Sequence, residues 1–122
     1  MDILLVDDSR TMRLIIHRAI RQAGYRSLNV CEAENGLDAL EKIRGDQPKL
    51  VLSDWNMPGL SGIDFLKALR DAENQVPFGF ITSEVSAPMK ALAMSSGANF
   101  LIGKPFSPDD IQEALSPILG EN

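Results

Sequence analysis

A chain of 122 residues, 44% of them hydrophobic and with a formal net charge of −5, is expected to form one domain, residues 1–122, with a core of its own. The acidic balance, with no basic run or stripe to neutralise phosphates, argues against nucleic acid as a direct partner, and no apolar segment reaches the roughly 20 residues that span a membrane. The single cysteine, Cys31, rules out an internal disulfide and fits a reducing cytoplasm, where it reads as a small half-buried residue.

In chain order, the first apolar run is 2–6 (DILLV), one residue after Met1 and with no leader ahead of it, and it reads as a strand. Ser9 offers an N-cap for a first helix, in which Met12, Ile15, Ile16, Ala19 and Ala23 recur at helical spacing before Gly24. A second strand, 27–33 (SLNVCEA), leads to Asn35 and a helix with Leu37, Leu40 and Ile43, stopped at Gly45. The third strand, 49–53 (KLVLS), runs into Asp54, Trp55 and the loop Asn56-Met57-Pro58-Gly59. Ser61 then caps a helix with Ile63, Leu66 and Leu69. A fourth strand, 77–82 (PFGFIT), precedes a helix with Met89, Leu92 and Ala93 that stops at Gly97. The fifth strand, 99–102 (NFLI), precedes a helix capped by Ser107 with Ile111, Leu115 and Leu119. Pro117 should kink or end that helix, leaving a frayed terminal turn, because proline lacks the donor and crowds the carbonyl four residues back. Five such alternations predict an α/β fold with a parallel sheet covered by helices on both faces, and the unbroken apolar character of strands one and three agrees.

In open parallel sheets, ligands bind beyond the carboxyl ends of the strands. After strand one stand Asp7 and Asp8. After strand three stand Asp54 and, two residues on, Asn56. Strand four ends in Thr82-Ser83, and strand five leads into Lys104-Pro105. A parallel sheet therefore gathers three carboxylates, a hydroxyl and one ammonium at one edge. Two unit charges ~4 Å apart repel by roughly 4 kcal/mol at an effective dielectric of about 20, so such a pocket calls for a cation or a raised pKa. Carboxylates and carbonyls suit a hard divalent ion, and Mg²⁺ suits a site that keeps several waters. A metal beside Lys104 invites a phosphoryl group, and an Asp carboxylate, best placed at Asp54, can be its nucleophile. Taken singly, Asp7 or Asp8 reads as a helix cap, Thr82 as an ordinary strand-end hydroxyl and the Lys-Pro step as nothing in particular. Their joint placement at four strand ends carries the shared-site reading.

The segments LLVDDSRTMR, SDWNMPGLSG, FITSE and GKPF together resemble the receiver domains of two-component response regulators, over essentially the whole chain and most of all those of the stand-alone chemotaxis type. The resemblance implies a flavodoxin-like doubly wound (βα)5 fold with strand order 2-1-3-4-5. It implies Asp54 as phosphoacceptor and Mg²⁺, for which Mn²⁺ can substitute, held by Asp8 directly, by Asp7 through water, by Asp54 and by the backbone carbonyl of Asn56. It further implies that Thr82, with Ser83 beside it, and Lys104 meet the phosphoryl oxygens, and that the Lys104–Pro105 peptide is cis. Asn56 and Glu84 occupy the positions that tune hydrolysis and predict a short-lived phosphoaspartate. The implied partners are a sensor histidine kinase and a downstream protein bound through the fourth helix, fifth strand and fifth helix, in the cytoplasm. No external substrate is turned over, so the chain is not an enzyme in the usual sense. Receivers usually carry an aromatic residue three positions before the lysine. Here that slot holds Leu101, with Phe100 one residue earlier. The plain register, with Leu101 in the slot, is favoured over a bulge at Gly103. His17 is expected to be a surface residue and Met89 a core one. A flavin carrier would need a glycine- and hydroxyl-rich phosphate loop in place of Asp7-Asp8. An aspartyl phosphatase would need its second acid two residues after the first, and a degenerate receiver would lack part of the acid, hydroxyl and lysine set.

Overall fold

The computed structural model describes residues 1–120. Five strands, β1 (Ile3–Val6), β2 (Val30–Ala33), β3 (Leu50–Ser53), β4 (Phe78–Thr82) and β5 (Phe100–Gly103), alternate with α1 (Arg10–Gln22), α2 (Gly36–Gly45), α3 (Gly62–Asp71), α4 (Ala87–Ser95) and α5 (Pro108–Leu119). The sheet is parallel throughout, in the order β2-β1-β3-β4-β5. Every residue of β1 and β3 is buried, because helices cover both faces. Strand alternation sorts the side chains. Leu4, Val6 and Val51 join a core with residues of α2, α3 and α4, while Ile3, Leu5, Leu50 and Leu52 join a second core with residues of α1 and α5.

Four strands lie within a residue of their expected spans. The edge strand β2 is shorter than 27–33, starting at Val30. Asn29 donates its backbone amide to the Asp2 carboxylate at 2.7 Å, while its carbonyl accepts the Asp2 and Ile3 amides. Ser9, Asn35, Ser61 and Ser107 each accept the backbone N–H three residues on, as N-caps do, and Ser86 does the same for α4. Ser107 and Asp110 complete a reciprocal capping box. Pro117 does not stop α5, which continues to Leu119. In the last turn its missing N–H removes one hydrogen bond and leaves the apolar face free to pack. Ile15, Leu37 and Leu92 fall on the predicted apolar stripes, yet they are exposed. Met89 is partly buried against the core, and His17 is partly exposed.

Charge is distributed unevenly. Residues 9–31 contain five arginines and no Asp or Glu, so α1 carries the basic stripe that the net charge of −5 had argued against. Net charge averages over the chain and conceals such segregation. No helix among the described residues is long and apolar enough to cross a membrane.

Candidate functional site

The strand order reverses direction beside β1, where the chain goes outward to β2 and returns to β3 on the other side. The register pairs Val6 with Ser53, and the Asp54 amide continues the ladder by donating to the Val6 carbonyl at 2.9 Å. Asp7 and Asp54 are thus carried side by side past the carboxyl ends of two neighbouring strands. Carboxylate oxygens of Asp7, Asp8 and Asp54 lie within 4.8 Å of one another. Lys104, at the end of β5, closes the group, its Nζ 3.5 Å from Asp7 Oδ2 and 3.6 Å from Asp54 Oδ1. The Lys104–Pro105 peptide is cis.

Each acid has a distinct environment. Asp7 is buried, and its Oδ1 accepts the Ser9 amide at 2.8 Å, which turns the chain into α1. Asp8 is exposed. Asp54 is partly buried, and its Oδ1 accepts the Trp55 amide at 2.7 Å. Burial pushes the Asp54 carboxyl above its ordinary range. Lys104 opposes that shift, Asp7 adds to it, the Trp55 amide opposes it and Asp8 adds to it again. Three clustered carboxylates against one ammonium form an all-oxygen donor set that fits a hard divalent cation such as Mg²⁺ or Mn²⁺, and the exposure of Asp8 leaves room for water in its shell.

Thr82 is fully buried at the end of β4, and its hydroxyl accepts the Glu84 amide at 3.1 Å. That hydroxyl keeps its own proton to give. Ser83 is exposed on the loop. Across the mouth of the pocket, Asn56 Nδ2 donates to Glu84 Oε1 at 3.3 Å, linking the β3–α3 loop to the β4–α4 loop. Phe100 and Leu101 are not part of the pocket. β5 pairs with β4 residue for residue through Gly103, with no bulge. Leu101 therefore faces the α4 side and Phe100 the α5 side. The Phe100 ring occupies the space above Gly79, where a Cβ would come within 2.1 Å of it. Val85, exposed on the β4–α4 loop, rests on Gly103 in the same manner, 2.8 Å from where a Cβ would stand.

Three supporting residues escaped the reading of the sequence. Ser53 is buried and donates its hydroxyl to the Asp54 carbonyl at 2.8 Å. Gly62 donates its amide to the Trp55 carbonyl at 2.8 Å and comes so near that a Cβ would lie 2.1 Å from the Asp54 carbonyl oxygen. Arg13 donates to the Asp7 carbonyl at 2.6 Å and to Glu32 at 2.7 Å, tying the β1–α1 turn to β2. Gly62 alone had a legible signal, a glycine directly after a capping serine and opposite the acid-bearing loop. Beneath the pocket, Trp55, Phe80, Phe78 and Phe65 form a run of rings with centroids 4.7, 5.0 and 5.4 Å apart, a close-packed floor for Asp54.

The sequence model of the family described as "Response regulator receiver domain" matches residues 3–116. The chain is 40% identical, over 126 aligned positions, to the chemotaxis protein CheY1 of Helicobacter pylori strain J99, covering 100% of this chain and 99% of that protein. It is 39% identical to the chemotaxis protein CheY-3 of Vibrio cholerae, covering 97% of this chain and 91% of that one. Among solved structures, the Vibrio cholerae chemotaxis protein CheY4 superposes with a TM-score of 0.84 at 31% identity, over 97% of this chain and 98% of that one. The receiver domain of the Francisella response regulator 1452 superposes with a TM-score of 0.86 at 26% identity, over 96% and 94%.

Proposed function

Because the chain belongs to the response regulator receiver domain family, we propose that residues 1–122 act as one phosphorylation-controlled switch in which Asp54 accepts a phosphoryl group. The observation that carries the reading is the convergence on Asp54 of two further carboxylates within 4.8 Å and of the Lys104 ammonium at 3.6 Å. Such a set is costly when empty and becomes favourable once positive charge and a phosphoryl group enter.

A carboxylate oxygen of Asp54 attacks phosphorus, an acyl phosphate forms, and the bond to the leaving group of the donor breaks with its electron pair going to that group. Lys104 moves from the carboxylates to a phosphoryl oxygen. The Thr82 hydroxyl turns its proton toward a second oxygen while the Glu84 amide still binds its lone pair. Asp8, Asp54 and the Asn56 carbonyl would hold Mg²⁺ or Mn²⁺, with Asp7 acting through water, and the ion would supply positive charge against the phosphoryl oxygens. Asn56 and Glu84, hydrogen-bonded to each other, tune the hydrolysis of the acyl phosphate in this reading. The donor is a sensor histidine kinase or a small phosphodonor. The chain turns over no external substrate, and its place is the cytoplasm. With an aliphatic Leu101 in the slot, the signal leaves through Thr82 and the β4–α4 loop, where Val85 leans on Gly103, toward a protein bound on the α4, β5 and α5 face.

The test uses Trp55, whose amide holds Asp54. Its fluorescence is expected to respond to Mg²⁺ and again, reversibly, to acetyl phosphate, with intact mass rising by one phosphoryl group. Asp54→Asn should abolish the second response and the mass gain. A Mg²⁺ response with unchanged mass in the wild-type chain would make this a binding domain only. When the donor is withdrawn, the phosphoryl group is expected to be lost within minutes. A half-life of many hours would refute the role given to Asn56 and Glu84.

A further inference from the structure

The arginines of α1 have no part in the acidic pocket beyond Arg13. Leu14, His17, Arg18, Arg21, Gln22 and Arg26 line a shallow groove of about 540 Å³ along the outer flank of α1 and the turn that follows it. On the inner flank, Ile16, Ala19, Ile20 and Ala23 are buried, which holds the helix rigid against the sheet. Residues 14, 17, 18, 21 and 22 recur at i, i+3, i+4, i+7 and i+8, so they form one continuous face. Among the described residues, Arg18, Arg21 and Arg26 form no ion pair, and Arg18 and Arg21 repel each other at i, i+3. All seventeen Asp and Glu of the chain lie outside residues 9–31.

We infer that this groove docks an acidic amphipathic helix of a partner protein, its carboxylates meeting Arg18, Arg21 and Arg26 and an apolar residue covering Leu14. The chemistry favours that occupant. Leu14 is 58% exposed at the mouth of the groove, and a nucleic acid backbone would leave it uncovered. Exposed arginine–carboxylate pairs are weak and screened by salt, so weak binding with a strong dependence on salt is expected. The groove uses nothing from the acidic pocket, so docking does not require phosphorylation of Asp54.

The test is a heteronuclear NMR titration of the full chain with a synthetic helical peptide of about 16 residues carrying Glu at i, i+4 and i+7 and Leu between them. A peptide of the same composition in scrambled order, a DNA duplex and phosphatidylcholine vesicles containing phosphatidylglycerol run in parallel. Saturable shifts confined to Leu14–Arg26, weakened ~tenfold in Arg18→Glu/Arg21→Glu, are expected. That variant should keep the wild-type melting temperature and its Mg²⁺-dependent reaction with acetyl phosphate. If charge reversal disturbs the fold, Arg18→Gln/Arg21→Gln reads the same loss. Equal binding of the scrambled peptide, shifts elsewhere, or tighter binding of DNA or vesicles would overturn the inference. So would self-association in sedimentation that is lost in the variant, which would give the groove to a second copy.

Discussion

Gly62→Ala is expected to destabilise the protein by about 3 kcal/mol and to displace Asp54 from its place beside Lys104. The added Cβ would stand 2.1 Å from the Asp54 carbonyl oxygen, 2.9 Å from Trp55 Cα and 3.0 Å from a Phe80 ring carbon. None of these can yield cheaply. The Asp54 carbonyl is held by the Ser53 hydroxyl, the Trp55 carbonyl by the Gly62 amide itself, and Phe80 is fully buried between Trp55 and Phe78. The glycine is required here for space, and alanine's advantage in helix propensity, at most about 1 kcal/mol, is too small to reverse the sign. Gly45→Ala is the control. It lies at the end of α2 with nothing within 4 Å of its Cβ position, and it should be neutral or slightly stabilising. Urea midpoints of the two variants measure the contrast, and equal midpoints would show that the loop accommodates a methyl group beneath the acids.

Asp54→Asn is expected to make the Mg²⁺-free protein more stable at neutral pH, by a few degrees in Tm, while removing much of the stability gained when Mg²⁺ is added. Burial raises the Asp54 carboxyl above its value of 3.8 in the unfolded chain. A folded-state pKa above the unfolded one means that the native state binds the proton more tightly. The penalty is therefore absent below the unfolded value and grows as pH rises through the folded one, so stability falls with rising pH across that window. The wild-type chain carries this penalty wherever Asp54 is ionised. Asparagine has the same shape, keeps the acceptor for the Trp55 amide and carries no charge. It gives up the attraction of Lys104, which is smaller than the desolvation it relieves. The advantage of the variant should shrink as pH falls toward the ordinary carboxylate range. Thermal melts of both proteins between acid and neutral pH, with and without Mg²⁺, read all of this. A variant that melts lower than wild type at neutral pH without metal would mean that the Lys104 contact outweighs burial.

Several features of the fold were legible because their causes are local. An N-cap is a side chain reaching an amide three residues away, so Ser9, Asn35, Ser61 and Ser107 could be placed from sequence alone. The alternation along β5 put Phe100 and Leu101 on opposite faces once the strand was taken as unbulged, and the pairing through Gly103 agrees. The candidate site was legible for a topological reason, since parallel strands bring their carboxyl ends to one edge and the residues just beyond them must share it. Errors arose where the deciding partner is remote. Ile15, Leu37 and Leu92 satisfy the helical period but lie at the margins of their stripes, beyond the reach of the sheet. The basic stripe of α1 was hidden by acids elsewhere in the chain.

By itself the sequence determined the number and order of the elements, the parallel sheet, and the identity of the acids, hydroxyl and lysine at the strand ends. These follow from periodicity, capping and chain direction, which act over a few residues or follow from connectivity. Tertiary structure alone decided the distances among Asp7, Asp8, Asp54 and Lys104 and the clearance at Gly62 and at Gly79. Each of these depends on atoms from elements far apart in the chain. Close packing resolves them to fractions of an ångström, a scale on which sequence patterns carry no information.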